Sequence, residues 1–516
     1  MQRLSGADAS FVYGETPSSH MHLGTLAVLD PSAAPGGFDV DRLRSLVQAR
    51  AGLLGPFLRH LVEVPFGLDR PVWVEDMHLD LNRQIRAIGV PAPGGPRELA
   101  ALVGDLLAYK LEPDRPLWEV WFIEGLEDGQ VALLTKMHHC LADGVRGVRL
   151  YEVLYDLEPD APFDRPNTPV LEGERIPPAW EMALRALPRL AGTPLRAART
   201  SGHLGCSALR MLRLRGSPEW PGVTLPFQAP RTSFNRAITP HRGFAFCSVP
   251  LAEVKTIKNV FSVTVNDVVL GICAGALRRY LADRGELPDK PLIAQIPVAV
   301  HIDDGGDSSR GAWGNATAVM GSALATQLDD PAERLRAIHA STHSAKATQH
   351  ALGDDLILDL ADVAPPGLLA AGVRAYSRLR LADHHPPIFN LIVSNVQGPS
   401  LPLYIAGARL VASYPFGPLL DGGGLSITVL SYLDRIDIGF VVCPEIVEYP
   451  WQLADATLEA FAELRKAAKR TGSPKKRTSK SKTTSGRPMV ADPDNLQRVA
   501  KRGSTPPTAK PSRATT

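Results

Sequence analysis

Fold and chemistry are both indicated most strongly by one segment, which reads Val131-Ala132-Leu133-Leu134-Thr135-Lys136-Met137-His138-His139-Cys140-Leu141-Ala142-Asp143-Gly144. Up to His139 its side chains alternate between two faces, which predicts a β-strand whose two histidines point to opposite sides. After the Asp-Gly pair, apolar residues return at roughly helical spacing, so Asp143 stands where an N-cap or first-turn acid is favoured. His139 is therefore predicted to lie where a strand ends and a helix begins.

The surrounding sequence predicts a mixed α/β fold without internal repeats. Trp118 to Glu124 is predicted to form a hairpin with Val131 to His139 across a Glu127-Asp128-Gly129 turn. Further strands are predicted near Arg242 to Val249, Leu292 to Val300, Ala316 to Ser322, Leu391 to Asn395, Leu425 to Leu430 and Ile436 to Val442. Helices are predicted at Asn266 to Leu281, Pro331 to Ala347 and Trp451 to Lys469. A chain of 516 residues that is 44% hydrophobic is long enough for two domains.

His139 is the candidate general base, because neutral imidazole has an ordinary pKa of about 6.5 and exchanges protons near neutral pH. Asp143 either orients this histidine or anchors the turn. A metal site is not expected, since adjacent histidines on a strand diverge and no third ligand group stands nearby in the sequence. In an arbitrary His-His pair, we would expect both imidazole rings to hydrogen-bond to backbone carbonyls and to have no catalytic role. The spacing of the Asp-Gly pair after these histidines favours a catalytic role here.

The termini and cysteines bear on the cellular compartment. The residues from Met1 to Glu15 lack a basic segment followed by an apolar run, so no secretory signal is expected. No uninterrupted apolar stretch of about 18 residues occurs, and integral membrane insertion is not expected. Five scattered cysteines without a C-x-x-C pair predict reduced cytosolic thiols. Cys140 could be proposed as a nucleophile, although a small buried cysteine is the more frequent case.

Charge is distributed unevenly along the chain. Residues 469–516 hold 13 Lys and Arg against Asp492 and Asp494, a net charge of +11, whereas residues 1–468 carry −9. This tail has almost no large apolar residues and is predicted to be disordered, since it cannot bury enough surface to offset the loss of chain entropy. Its charge either serves no specific role or attracts an anionic surface.

A second change of composition separates two domains. Residues 158–178 are proline-rich, as expected of a linker, and Trp180 to Arg215 predicts a helical crossover. From Glu181 to Gly216 seven arginines stand against a single acid. Such a basic amphipathic segment either lies on an anionic membrane surface or packs its leucines on the domains. No motif for nucleic-acid binding is present, and no nucleic-acid partner is expected.

Several motifs together resemble the bacterial wax ester synthase/diacylglycerol acyltransferase family. The resemblance covers about Leu4 to Phe461 and leaves the basic tail outside. The motifs are Leu4-Ser5-Gly6-Ala7-Asp8-Ala9-Ser10-Phe11, Pro116-Leu117-Trp118, His138-His139-x-x-x-Asp143-Gly144, Asn266-Asp267-Val268-Val269-Leu270, Gly314-Asn315 and Ser394-Asn395-Val396-Gln397-Gly398-Pro399. Two positions depart from the family pattern: Gly271 stands where the family usually has Ala, and Gln397 where it usually has Pro.

The resemblance implies two chloramphenicol-acetyltransferase-like domains joined by a helical crossover, with a tunnel at their interface. It places an N-terminal acyltransferase domain at residues 1–157, the linker and crossover at 158–230, a C-terminal domain at 231–468 and the disordered basic tail at 469–516. Acyl-CoA is implied as co-substrate with no further cofactor, and diacylglycerol or a long-chain fatty alcohol as acceptor.

Roles for individual residues follow from the same resemblance. His139 is implied as the general base of acyl transfer, with His138, Asp143 and Gly144 supporting the motif. Asn266 and Asp267 are weaker candidates for substrate binding or for stabilising the oxyanion. An N-cap role for Asn266 in the following helix is the open alternative.

Other function classes lack their sequence signatures. A serine lipase or thioesterase would need Gly-x-Ser-x-Gly, and a nucleotide-dependent enzyme a phosphate-binding glycine loop, and neither occurs. A non-enzymatic lipid-droplet or membrane-binding protein is the remaining alternative, and it has no need of the histidine motif. The expected location is the cytoplasm, peripheral to the inner face of the membrane or to lipid inclusions.

Overall fold

A computed structural model of the chain describes residues 2–75, 79–164, 174–188, 202, 227–299, 317–352 and 366–472. The strands within these residues are β1 (Gln2–Arg3), β2 (His22–Asp30), β3 (Arg59–Val62), β4 (Val72–Glu75), β5 (Ile85–Gly89), β6 (Trp118–Glu124), β7 (Val131–His138), β8 (Gly243–Pro250), β9 (Ile293–Ala299), β10 (Thr317–Ala323), β11 (Leu391–Gln397), β12 (Tyr404–Ile405), β13 (Ala408–Phe416), β14 (Leu425–Tyr432) and β15 (Arg435–Val442). They form two six-stranded sheets and a small third sheet, β1-β4-β3.

The first large sheet contains the predicted histidine strand near its centre. Its order is β12-β13-β2-β7-β6-β5, and its pairs are antiparallel except for β5 with β6. In the β2–β7 pair, His22 lies opposite His138. Strands β12 and β13 come from the second half of the sequence, so residues that follow β11 return to complete this sheet.

The second large sheet has the order β10-β9-β11-β14-β15-β8. Strand β11 runs parallel to both of its neighbours, β9 and β14, whereas the remaining pairs are antiparallel. Its central strands β11 and β14 are largely buried on both faces, as expected of strands that are covered by helices on one side and by another layer on the other.

The helices are α1 (Gly6–Gly14), α2 (Val40–Ala49), α3 (Leu81–Gln84), α4 (Pro96–Ala108), α5 (Gly144–Gly147), α6 (Arg149–Leu154), α7 (Leu251–Phe261), α8 (Val265–Ala282), α9 (Pro331–Leu352), α10 (Pro366–Arg378) and α11 (Pro450–Gly472), and residues 179–188 are also helical. Helix α8 is buried along most of its length and packs against α7, α9 and α11. This explains its almost continuous apolar sequence, which is typical of a core helix.

Three clusters of buried side chains hold these layers together. One fills the space between the second sheet and α7, α8, α9 and α11. Another packs α1, α2 and α6 on the face of β7 that carries Leu133 and Met137. The third joins the sheets to each other, since Leu134 of β7 and Tyr414 of β13 lie in one cluster with Phe246 of β8. The described residues up to Gly472 accordingly pack as one compact unit.

The predicted secondary structure is confirmed at the hairpin of β6 and β7, at the second-half strands and at the long helices, with ends that shift by a few residues. Two differences from the prediction are observed. The single helix predicted after Gly144 is two short helices, Gly144–Gly147 and Arg149–Leu154, separated at Val148. Helix α11 continues to Gly472, so the first residues assigned to the basic tail are helical. Residues 473–516 lie outside the described residues.

The crossover helix is described only over residues 179–188. Trp180, Leu184 and Leu187 are each more than half exposed there, whereas Ala186 is buried. The rest of the predicted helix to Arg215, apart from Gly202, lies outside the described residues. Within the described ranges no single helix is long and apolar enough to cross a membrane, and the bent pair α7 and α8 meets that test only by combined length and composition.

Candidate active site

His139 follows directly after β7, and two contacts fix it. Its backbone N–H donates to the carbonyl oxygen of Met21 at 2.8 Å, which extends the β2–β7 pairing by one residue. Met21 has a φ of 49°, an uncommon left-handed backbone for a residue with a side chain. The imidazole lies on the phenyl ring of Phe11 in α1, with ring centroids 3.9 Å apart and an angle of 7° between the planes. The orientation of the histidine is therefore set by both its backbone and its ring.

His139 lines a cavity of about 390 Å³ between the two large sheets. The first sheet contributes Thr25 and Met137 to its wall, and the second contributes Ser394 of β11 and Thr428 of β14. Most of the other lining side chains are aliphatic or aromatic. A concave, largely apolar space with a few polar groups is the usual form of a small-molecule site.

His138 points to the opposite face of β7, as the alternation of the strand predicts, and does not line this cavity. Its Nδ1 accepts a hydrogen bond from the backbone N–H of Cys140 at 3.2 Å, and its Nε2 lies 3.9 Å from Glu15 Oε2. Burial, assisted by the nearby charges of His139 and Lys110, lowers the pKa of His138 to about 3. The ring is therefore neutral near pH 7 and has a packing role.

Charged and titratable groups crowd the same buried face of the first sheet. Lys136 is fully buried, pairs with Glu119 at 2.5 Å and donates to the carbonyl oxygens of Leu106 and Tyr109 at the end of α4. His22 stands opposite His138, and its ring centroid lies 5.4 Å from that of His20. His20 and His22 were not predicted as functional residues, since they precede or begin β2 without a motif of their own.

The turn after His139 is also buried. Burial, together with the charges of Asp8 and Glu15, raises the pKa of the Cys140 thiol well above its ordinary value, which opposes a role as nucleophile. The backbone carbonyl of Asp143 accepts a hydrogen bond from Gly147 N–H at 2.7 Å and starts α5. A Cβ on Gly144 would lie 3.1 Å from Val396 Cγ2 in β11, so this glycine lets the turn approach the second sheet.

Comparison with known proteins identifies the family. Residues 4–269 match the wax ester synthase/diacylglycerol acyltransferase catalytic domain, and residues 313–465 match the C-terminal domain of the same family. The chain belongs to this family. A Mycobacterium tuberculosis protein named diacylglycerol O-acyltransferase is 37% identical over 466 residues, which are 90% of each chain. A Mycobacterium bovis protein of the same name is 34% identical and covers 90% of this chain and 99% of its own.

Solved structures agree with the family assignment. The wax ester synthase/diacylglycerol acyltransferase from Marinobacter aquaeolei VT8 superposes with a TM-score of 0.65 at 29% identity, over 91% of this chain and all of that one. The first condensation domain of the calcium-dependent antibiotic synthetase shares the fold alone, with a TM-score of 0.54 at 15% identity. The predicted α/β fold and the predicted acyltransferase family are therefore confirmed.

Two further residues of the family motifs, Asn266 and Asp267, lie in the first turn of α8 and do not line the cavity. The N-cap of this helix is Thr264, so the alternative interpretation of Asn266 as the cap is wrong. Asn266 Oδ1 instead accepts a hydrogen bond from Asn395 Nδ2 of β11 at 3.2 Å. A part in substrate binding stays a prediction for both residues.

Asp267 is committed to several structural hydrogen bonds. Its carboxylate accepts from the backbone N–H and hydroxyl of Thr264, from His339 Nδ1 at 2.8 Å and from the Thr342 hydroxyl at 2.7 Å. Burial raises the pKa of this carboxyl, but the hydrogen bonds outweigh it and the net shift is downward. Asp267 thus ties the start of α8 to α9. Gly314 and Asn315 of the family pattern lie outside the described residues.

In the described residues no group of three or more His, Cys, Asp and Glu side chains is placed to hold a metal ion. Phe11 was not predicted as the ring partner of His139, although it belongs to the Leu4 to Phe11 motif. The polar side chains of Gln295, Ser426 and Thr428, which line the cavity from the second sheet, were not predicted either. These three residues carry no motif, and only the three-dimensional pairing of β9, β11 and β14 brings them together.

Proposed function

We propose that this family member transfers a long-chain acyl group from acyl-CoA to the hydroxyl of diacylglycerol, with His139 as the general base. The position of His139 on the wall of a largely apolar cavity carries the proposal. His138, the other histidine of the motif, faces the protein interior and is held neutral by burial. An apolar cavity suits two substrates that both have long hydrocarbon chains.

The proposed reaction balances with a single base. His139 accepts the proton of the acceptor hydroxyl as its oxygen attacks the thioester carbonyl, and a tetrahedral intermediate forms. When the intermediate collapses, the carbon–sulfur bond breaks and the proton on His139 passes to the sulfur of CoA. A positioned base contributes about 10²- to 10⁴-fold, so orientation of the substrates supplies much of the remaining acceleration.

Phe11 supports this role, because its ring holds the imidazole plane at the cavity wall. A base must lie within hydrogen-bonding reach of the proton that it removes, so a fixed ring saves the cost of orienting it in each turnover. Acyl-CoA is the co-substrate, and the proposed mechanism uses no cofactor or metal ion.

Replacing His139 with Ala tests the assignment. We expect release of CoA thiol with diacylglycerol to fall by at least about 10²-fold. The circular dichroism spectrum and melting temperature should stay close to those of the wild type, since the ring lies on the wall of a cavity and the backbone hydrogen bond to Met21 is kept. His138→Gln is the matched control on the same strand and should lower stability more than turnover per folded molecule. Substantial turnover by folded His139→Ala protein would refute the assignment of His139 as the base.

A long-chain fatty alcohol is the alternative acceptor, since the apolar part of the cavity lining also suits its hydrocarbon chain. The acceptor is decided by offering purified protein one labelled acyl-CoA with 1,2-diacylglycerol and with hexadecanol. Triacylglycerol as the main product supports the proposed reaction, whereas wax ester as the main product would replace it with wax ester synthesis.

We further propose that the protein works at the cytoplasmic face of a membrane or on a lipid inclusion. Support comes from the exposed Trp180, Leu184 and Leu187, and from the net charge of +11 on residues 469–516. Exposed apolar side chains insert into an interface, and basic residues near an anionic surface add up to about 1 kcal/mol each at low salt.

Binding to vesicles of phosphatidylcholine with and without phosphatidylserine tests this location. Deletion of residues 473–516 should weaken binding to the anionic vesicles at low salt and have little effect at high salt, because salt screens the attraction. Trp180→Ser with Leu184→Ser should weaken binding at both salt concentrations. Equal binding by all three proteins under all conditions would exclude these segments as attachment sites.

A further inference from the structure

The wall that the second sheet contributes to the cavity holds buried polar atoms with no hydrogen-bond partner in the described part of the chain. Ser426 and Thr428 are 1% and 6% exposed, and neither hydroxyl has a hydrogen-bond partner among the described residues. Gln295 Oε1 is buried and unpartnered in the same way. All three residues line the cavity that contains His139.

The strand register places these atoms side by side. Gln295 of β9 pairs with Ile392 of β11, and Ile392 pairs with Ser426 of β14, so one row crosses three strands. Ser394 and Thr428 form the next row on the same face, because residues two apart on a strand point the same way. The unpartnered atoms therefore form one polar patch, defined here as Gln295, Ser426 and Thr428.

Gly417 keeps open the space in front of this patch. A Cβ at this position would lie 3.3 Å from Thr428 Oγ1 and 3.4 Å from Ser426 Oγ. Both hydroxyls thus border a single small region that any larger residue at position 417 would begin to fill. Gly417 itself lines the cavity, so the region is continuous with the space beside His139.

Buried polar groups are nearly always hydrogen-bonded, because an unpaired one loses its bonds to water without replacement. A group that stays unpaired in the ligand-free fold is therefore a candidate for pairing with a ligand. The two hydroxyls can donate hydrogen bonds to carbonyl oxygens. The Gln295 amide has an oxygen that accepts and an NH2 group that donates, and rotation of the amide can turn either one towards a ligand.

The lining of the cavity also indicates the charge of that ligand. No Asp, Glu, Lys or Arg is among the described residues that line it. A phosphate or carboxylate would enter this space without a counter-charge, which is strongly unfavourable in an apolar site. The patch therefore suits a neutral group rich in oxygen acceptors, such as an ester.

We propose that Gln295, Ser426 and Thr428 form a subsite for an ester group of a glyceride acceptor, and that they make the cavity favour diacylglycerol over fatty alcohol. The inference rests on the proposed function, because it concerns the acceptor of that reaction. A diacylglycerol carries two esters within a few bonds of its free hydroxyl. A fatty alcohol has its only oxygen at the reacting end, which His139 engages, so the alcohol leaves the patch unpaired.

The decisive measurement is the ratio of kcat/KM for 1,2-dioctanoylglycerol to kcat/KM for hexadecanol, with one acyl-CoA. Thr428→Val keeps the shape of the side chain and removes the hydroxyl, and Ser426→Ala removes the other. Each should lower the ratio about tenfold, the value of one hydrogen bond of about 1.4 kcal/mol. Thr457→Val is the matched control, because the Thr457 hydroxyl is buried in α11 and already bonded to Leu453 O at 2.7 Å. The control should leave the ratio unchanged.

Gly417→Ala provides a second test that leaves all three polar side chains in place. The added Cβ occupies the region in front of the two hydroxyls and should lower the same ratio by excluding the ester. If the patch instead held an amide of the CoA arm, these variants would reduce turnover with both acceptors equally. An unchanged ratio in Thr428→Val, Ser426→Ala and Gly417→Ala would overturn the inference.

A measurement without turnover separates this inference from the proposed reaction. Thr428→Val should raise the melting temperature of the ligand-free protein, because it removes an unpaired buried hydroxyl. Added 1,2-dioctanoylglycerol should stabilise the wild type more than this variant, since a ligand stabilises the state that it binds. A lower melting temperature of ligand-free Thr428→Val protein, together with equal stabilisation of the variant and the wild type by 1,2-dioctanoylglycerol, would overturn the subsite even if acyl transfer occurs. Acyl transfer to neither acceptor, by contrast, would overturn the proposed function and with it this acceptor role.

Discussion

His139 and Phe11 form a parallel stacked pair, with ring centroids 3.9 Å apart and planes within 7° of each other. Phe11 belongs to α1 near the start of the chain, and His139 follows β7 more than a hundred residues later. Helix α1 begins with Ser5 as its N-cap, whose hydroxyl accepts from Asp8 N–H at 3.0 Å. The N-terminal motif and the histidine motif of the family therefore meet at this stacked pair.

Replacing Phe11 with Leu should lower kcat by about tenfold to 10²-fold, because a branched aliphatic side chain fills the space without holding the imidazole in one plane. KM for acyl-CoA should change less than kcat, which distinguishes loss of orientation from loss of substrate binding. Steady-state kinetics of CoA release measure both constants.

Phe11→Tyr is the control for this prediction, since it keeps an aromatic plane against the imidazole. It should retain most of the wild-type kcat. Wild-type kcat in folded Phe11→Leu protein would show that the stacked ring does not position the base.

Three buried histidines, His20, His22 and His138, make stability depend on pH. Burial lowers the pKa of His20 to about 4 and that of His138 to about 3, and it holds the pKa of His22 well below 6.5. The unfolded chain therefore binds more protons than the folded chain as the pH falls below 6.5. Stability is complete above pH 6.5 and declines towards pH 4, by about 1.4 kcal/mol per pH unit for each neutral buried ring.

Urea unfolding between pH 7.5 and 4.5 measures this slope. His22→Leu should remove one of the three contributions and flatten the slope by about 1.4 kcal/mol per pH unit. His343→Ala, at an exposed position in α9, should leave it unchanged. A slope that does not respond to His22→Leu would mean that this ring does not take up a proton on unfolding.

Local sequence patterns predicted the parts of the fold whose signals are local. The hairpin of β6 and β7 follows from alternation on both sides of an Asp-Gly turn, and α8 follows from a long apolar run. The return of β12 and β13 to the first sheet does not follow from such patterns. That pairing joins β13 to β2 across nearly four hundred residues, and nothing within either strand specifies its partner.

Some residues of the candidate site were likewise predictable from local sequence, and others were not. His139 was predictable, because strand alternation and the Asp-Gly spacing set its position and direction. Phe11, Ser426 and Thr428 were not, since each reaches the cavity through packing of separate elements. The helix break at Val148 was also missed, because the apolar spacing on either side is compatible with one continuous helix.

Asp267→Asn should destabilise the protein by about 3 kcal/mol, because an amide nitrogen takes the place of one carboxylate oxygen. One of these oxygens accepts hydrogen bonds from Thr264 and His339, and the other accepts from Thr342, so hydrogen bonds are lost in either orientation of the amide. The lowered pKa of Asp267 adds a pH dependence: this contribution is complete above the ordinary value of about 3.8 and disappears as the pH falls through the folded-state pKa. Urea unfolding at pH 7 measures the loss. An unchanged stability together with a raised KM would instead assign Asp267 to substrate binding.

Replacing Gly275 and Gly271 of α8 with alanine should change the free energy of unfolding in opposite directions. A Cβ on Gly275 would lie 2.8 Å from Ala460 Cβ in α11, where neither helix has a flexible group that can move aside. Alanine gains up to about 1 kcal/mol in helix propensity, but overpacking a core costs about 1 to 3 kcal/mol. Gly275→Ala should therefore lower the free energy of unfolding.

Gly271 is the matched position, because the family usually has Ala there. Its Cβ would lie 3.1 Å from Leu335 Cδ1, the end of a side chain that can shift by a few tenths of an ångström. The propensity gain then outweighs the contact, and Gly271→Ala should raise the free energy of unfolding by up to about 1 kcal/mol. Urea unfolding of both variants measures the two signs. Equal changes in the two variants would mean that helix propensity alone, and not the approach of α8 to α11, decides which residue these positions accept.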